Sequence, residues 1–268
     1  MSRQAAALAC VLTLAACSAL PADSAPSAAT GPSSGAVPVV PSPRLGSDYV
    51  LLDFDGPDPL VASSRSSVVG VRRAGDAPVR TTPSGDGTRG LVFPAYASTA
   101  ERRLVLLVPP PSPSQVSPAP DLVFGADVQL DEGSGAGAQD NGDNVVQRGL
   151  FADQNQLKLQ VDKHVPSCTV RTPRLRAFVK LTHAMDDGWY RLSCRYDGVT
   201  LELAATPLAG TGGETEMVSS PAAAGALSFA SSTGLSVGGK VTADGALVKT
   251  QPDQFNGVLD NVFVSTSP

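Results

Sequence analysis

From Asp48 to the end of the 268-residue chain, no apolar stripe at helical spacing runs for more than two turns. Short apolar runs between turn residues fill that stretch instead, and they limit the fold more than any other feature. They are Tyr49–Phe54, Leu104–Val108, Asp121–Leu130, Asn144–Phe151, Leu157–Val161, Trp189–Tyr196, Val199–Leu203, Leu235–Val237 and Phe255–Val264. Within Leu157–Val161 apolar and polar residues alternate strictly, which points Leu157, Leu159 and Val161 inward. Asp197-Gly198 lies between two runs as a two-residue hairpin turn. The residue supply agrees: 20 Asp against 5 Glu and 15 Arg against 5 Lys leave few Glu and Lys helix formers, while 26 Gly and 23 Pro provide turns. Roughly a dozen short strands predict an all-β sandwich of two antiparallel sheets over residues 48–268.

The first 47 residues read differently. Met1 to Gln4 carries one positive charge, and Ala5 to Ala16 is a small apolar stretch without an acid, too short for a permanent span. It ends in Leu14-Ala15-Ala16-Cys17, which resembles the bacterial lipobox. That resemblance implies that residues 1–16 are a lipoprotein signal peptide and that Cys17 becomes the diacylated first residue. Two or three acyl chains, at about 0.8 kcal/mol per buried CH₂, make a stable membrane anchor. An ordinary secretory signal cleaved elsewhere is the alternative. Residues 18–47 hold 7 Ser, 6 Pro, 6 Ala and 3 Gly in 30 positions and cannot bury enough apolar surface to order themselves. Together 17–47 form a tether that holds the next domain outside the cytoplasm, clear of the membrane.

Cys168 and Cys194 are the cysteines left beyond Cys10 and Cys17. In an oxidising compartment they are expected to pair, because Cys194 shares a strand face with Leu192 and Tyr196, and Cys168 with Val170. Two reduced core thiols are the alternative. His164 and His183 lack the spacing of a zinc site with them.

Beyond these features, Asn144-Val-Val-Gln-Arg-Gly149, Gln156-Leu-Lys-Leu-Gln-Val161, Pro166-Ser-Cys168, Asp187-Gly-Trp-Tyr190 and Cys194-Arg-Tyr-Asp-Gly198 follow one another in an order that resembles bacterial laminin G-like domains. Leu235-Ser-Val-Gly-Gly239 and Phe255-Asn-Gly-Val-Leu-Asp260 match the ending of that family. Trp189-Tyr190 stands where the family usually has Trp-His. The resemblance implies a concanavalin A-like jelly roll, a curved sandwich with a concave face. It also implies a structural calcium ion held by an aspartate of the last strand, here Asp260. Asp140-Asn-Gly-Asp143-Asn144 is a second cluster of oxygen donors, without calcium-loop spacing.

Enzymes with this fold carry Glu-x-Asp-x-Glu on one strand, so that alternation sends all three carboxylates into the cleft. None of the 5 Glu is followed two positions on by Asp, and no catalytic residue is assigned. Hydrolysis of glycans is the disfavoured alternative. A net charge of −5 gives no global field for nucleic acid. Locally the balance reverses: residues 168–195 carry five Arg and Lys180 against Asp186 and Asp187. Alternation sends Trp189, Arg191 and Arg195 to the side opposite Cys194, and Arg171 away from Cys168. Arg171, Trp189, Arg191 and Arg195 are therefore the candidate contacts of a non-catalytic domain that binds an extracellular polysaccharide, anionic glycan or cell-wall polymer. A structural or protein-interaction lipoprotein of the envelope is the second reading.

Overall fold

Strand β17 (Gly257–Thr266) organises the molecule, because it pairs on both edges and changes partner halfway. One edge runs along β8 (Leu122–Leu130) for its whole length. The other meets β6 (Arg89–Val92) at Val258 and Leu259, then β1 (Tyr49–Leu52) from Val262 to Ser265. A bulge between Asp260 and Phe263, with Asn261 at φ 46°, marks the change. Around this pair an eight-stranded antiparallel sheet is completed by β13 (Trp189–Tyr196), β14 (Thr200–Pro207) and β15 (Glu216–Pro221) on one side, and by β5 (Thr81–Pro83) beyond β6.

The second sheet has seven strands in the order β12 (Arg176–Lys180), β11 (Val165–Arg171), β10 (Gln156–Asp162), β9 (Asp143–Arg148), β16 (Leu235–Val237), β7 (Arg103–Val108) and β4 (Gly70–Ala74). A small hairpin of β2 (Val61–Ala62) and β3 (Ser67–Val68) stands apart. The protein is represented by a computed structural model that describes residues 49–62, 67–96, 102–109, 121–134, 142–208, 210–222, 225, 227–229 and 232–266. All of these are strands, turns or loops, and the fold is an all-β jelly-roll sandwich. The signal 1–16, Cys17, the tether and Asp140 lie outside the described residues.

The alternation read from the sequence sets the core. Leu157, Leu159 and Val161 of β10 are buried, and so are Cys168 and Val170 of β11. Phe124, Ala126 and Val128 of β8 face them from the eight-stranded sheet, with Leu192, Cys194 and Tyr196 of β13. A disulfide joins Cys168 to Cys194 across the two layers, with 6.0 Å between Cα atoms. Closing that loop contributes about 3–4 kcal/mol by restricting the unfolded chain. At the β13–β14 hairpin the two turn residues are Gly198 and Val199, one position later than expected. The Asp197 carboxylate accepts the backbone N–H groups of Val199 and Thr200 and fixes the turn there.

Candidate functional site

The outer side of the seven-stranded sheet should be an ordinary wet polar face, yet much of it is covered. Strand register lines up Leu107, Ser236, Gln147, Lys158, Thr169 and Phe178 in one row across six strands. Ser236, Gln147 and Thr169 are 3%, 2% and 6% exposed, so polar side chains are buried on the solvent side of the sheet. Two loops cover them. The first, 149–155, begins at Gly149. Its φ of 75° and its close approach to the Asn155 carbonyl oxygen leave no room for a Cβ, so only glycine fits. Its carbonyl accepts hydrogen bonds from Gln147 Nε2 at 2.7 Å and Gln156 Nε2 at 3.2 Å. The second loop brings down Asp253, which pairs with Lys158 at 3.0 Å and Lys240 at 2.5 Å. Burial holds the Lys158 ammonium below its ordinary pKa, although Asp253 works against that shift.

Between these covers the row opens into a pocket of about 360 Å³. Leu107, Gln147 and Ser236 line it from the sheet, Leu150 and Asp153 from the first loop, and Thr242 to Gly245 from a tight turn. Arg72 Nε donates to the Gly245 carbonyl at 2.6 Å and ties that turn to β4. The Asp153 carboxylate accepts the Leu150 N–H at 2.6 Å and shapes the opposite wall. A second hollow lies beyond Asp153, lined by Asn155, Phe229 and Thr233. There the Arg148 guanidinium sits 4.5 Å from the centre of the Phe229 ring, and burial pulls its pKa down to about 10. Asp244, on the pocket's lip, is held below the usual carboxylate range chiefly by the Thr242 hydroxyl.

The four contacts expected from the sequence do not share a surface. Arg191 and Arg195 face outward from the eight-stranded sheet, whereas Arg171 faces outward from the seven-stranded one. The reason is the disulfide itself: its two strands lie in opposite layers, so the residues alternating away from the sulfurs leave in opposite directions. Arg191 is moreover committed, its Nε and Nη2 each 2.7 Å from an oxygen of Asp127 on β8. Arg195 reaches Asp121 at 3.3 Å. Trp189 is 8% exposed, packed beneath the β5–β6 turn. Gly85 in that turn lies so close to the indole that an added Cβ would come within 2.6 Å of it. A joint patch of Arg171, Trp189, Arg191 and Arg195 is therefore replaced by two unrelated environments.

Asp260 sits at the bulge of β17, fully buried. It accepts the Thr88 hydroxyl at 2.8 Å and the Asn261 N–H at 2.7 Å, and burial raises its pKa to about 7. Asn261 donates to Asp127 at 2.9 Å and to Asp86 at 3.2 Å. Among the described residues no group of three or more His, Cys, Asp or Glu side chains gathers as a metal site would require. Asp260 serves here as a hydrogen-bond acceptor for Thr88 and Asn261. Asp143, from the second donor cluster, is buried and accepts the Ser134 hydroxyl.

Sequence reading missed Gln147, Ser236 and Lys158 because they look like ordinary outward residues. It also placed Phe151 at a strand end, where the structure has a turn. The outward alternation across β9 to β12 was the available signal, but only the register shows that it forms one row.

No protein-family model matches the sequence, and no curated protein matches it. Solved structures resemble it in fold. The binding domain of Paraclostridial Mosquitocidal Protein 1 superposes with a TM-score of 0.53 at 10% identity, over 82% of this chain and 48% of that one. Domain 4 of AbnA, an extracellular arabinanase from Geobacillus stearothermophilus solved with arabinotriose, gives 0.50 at 9% identity over 81% and 91%. The LG1-3 region of the laminin alpha2 chain gives 0.48 at 14% identity over 61% of this chain and 30% of that one. The chain spans less than half of the laminin and mosquitocidal chains.

Proposed function

We propose that this domain binds carbohydrate without catalysing its cleavage, and that the pocket on the seven-stranded sheet is the site. The observation that carries this reading is the row of buried polar side chains opening into a pocket of about 360 Å³. Small-molecule sites run from about 300 to 1,000 Å³, with a few polar groups fixing orientation. The carboxylates of Asp153 and Asp244 supply such groups at its walls, and Leu107 supplies an apolar patch for a sugar's C–H face. The arabinotriose complex of a like-folded domain supports the idea that a sandwich of this shape can hold a short oligosaccharide.

We further propose that the domain is displayed outside the cytoplasm on the 17–47 tether, anchored through lipid on Cys17. Intact mass of the membrane-extracted protein tests this part: a chain that starts elsewhere than an acylated Cys17 rejects it.

The binding reading is tested by a panel of soluble polysaccharides in affinity electrophoresis, with the Ala243→Trp variant alongside. Ala243 is exposed and lines the pocket, so an indole there fills the mouth without touching the core. Retardation by at least one polysaccharide, lost in Ala243→Trp, is expected. Retardation equal in both proteins removes the pocket from the account, and release of reducing ends by the wild type replaces binding with hydrolysis.

A further inference from the structure

At the free edge of the seven-stranded sheet, the same outer face ends in a cluster unlike the rest of the surface. The Arg171 guanidinium lies 4.9 Å from the Phe151 ring centre. That of Arg176 lies 6.0 Å from Phe151 and 5.2 Å from Phe178. Such cation–π contacts hold guanidinium groups in place while leaving N–H edges to donate. Neither arginine has a carboxylate at ion-pair distance among the described residues. Arg171 Nη1 is buried without an acceptor. Arg176 also lies close enough to Lys158 to disfavour its charge, and Lys158 and Lys240 share the single carboxylate of Asp253. This stretch therefore carries surplus positive charge in a chain of net −5. Apolar surface is concentrated beside it: Phe151, Leu175 and Phe178 are 67%, 43% and 43% exposed, three of five large hydrophobic side chains so exposed among the described residues.

We infer that this edge is a subsite for a uronic-acid residue, its carboxylate held by Arg171 and Arg176 and its ring set against Phe151 and Phe178. The inference rests on the carbohydrate-binding reading of this face and adds the chemical class of the ligand. Two fixed forks suit a planar carboxylate, which accepts paired N–H bonds. A sugar ring has C–H faces for the exposed phenylalanines, so one residue meets both demands. An anionic bilayer would also meet positive charge and aromatic rings, and the experiment separates the two.

The test compares polygalacturonate with fully methyl-esterified polygalacturonate, which keeps the backbone and removes the charge. Affinity electrophoresis or calorimetry should show the acid form binding at least about tenfold more tightly at low salt, the scale of one charge-assisted bidentate contact. Raising NaCl should erode that preference. Arg171→Gln/Arg176→Gln should reduce the acid form to the affinity of the ester, while Arg174→Gln, an exposed neighbour, changes neither. Equal binding of acid and ester by the wild type overturns the subsite and leaves the pocket standing. Loss of acid binding in Arg174→Gln to the same extent overturns it too, because the attraction is then diffuse. Binding to phosphatidylglycerol vesicles but to neither polysaccharide overturns this subsite, and the polysaccharide panel decides the pocket separately. Unchanged thermal unfolding of the double variant confirms that the losses are local.

Discussion

The two outer faces of the sandwich are built by the same alternation and treat their charges in opposite ways. On the eight-stranded sheet, Arg191 is matched by Asp127, and Asn261 links Asp127 to Asp86 in the turn that covers them. Donors and acceptors there are spent on one another beneath the β5–β6 hairpin. On the seven-stranded sheet, Lys158 and Lys240 share one aspartate, and Arg171 and Arg176 rest on aromatic rings. An outward arginine is therefore no guide to a binding surface on its own. What matters is whether the neighbouring strand carries a carboxylate at the matching register.

Replacing the arginine on each face should give the largest contrast. Arg191→Ala leaves Asp127 buried without its counter-charge and should cost about 3–5 kcal/mol of stability by denaturant unfolding. Arg171→Ala should cost below about 1 kcal/mol, since its ring contact is the main loss. Similar costs at the two sites would break the comparison.

A smaller effect follows from Asp260, whose carboxyl burial raises from an ordinary 3.8 to about 7. The folded form holds this proton up to about pH 7, whereas the unfolded chain releases it near pH 4. Stability from this group is thus complete below about pH 4 and is lost as pH rises through about 7. Burial also raises Asp127, in the same sense. Asp260→Asn should flatten the fall in melting temperature between about pH 5 and pH 8, gaining at most about 4 kcal/mol relative to wild type at the upper end. A wild-type melting temperature that rises steadily across that interval, unchanged in the variant, would contradict this account of the face.

Much of this architecture was legible before any coordinates. The strict alternation of Leu157–Val161 places the core side of β10, and the apolar companions of Cys168 and Cys194 point both sulfurs inward. The strands Trp189–Tyr196 and Leu235–Val237 carry their full bounds in their apolar content. By contrast, Thr81–Pro83 and Glu216–Pro221 are strands because partners pair with them, and nothing in their composition demands it. The same physics limited the site. Outward direction could be read for Arg191, but its partner Asp127 lies 64 positions earlier and meets it only through the β8–β13 register. The cover over Trp189 likewise depends on a turn about a hundred residues upstream. The polar row across the seven-stranded sheet needs five pairings to assemble, none of which a single strand reveals.

The contrast between the faces is measured most directly by amide hydrogen exchange with and without saturating oligogalacturonate. Slower exchange is predicted in 149–155, in 171–178 and in the turn at 241–245, with β13 and the turn at 84–90 unchanged. Protection confined to β13 and the 84–90 turn would place the ligand on the self-matched face and contradict the account.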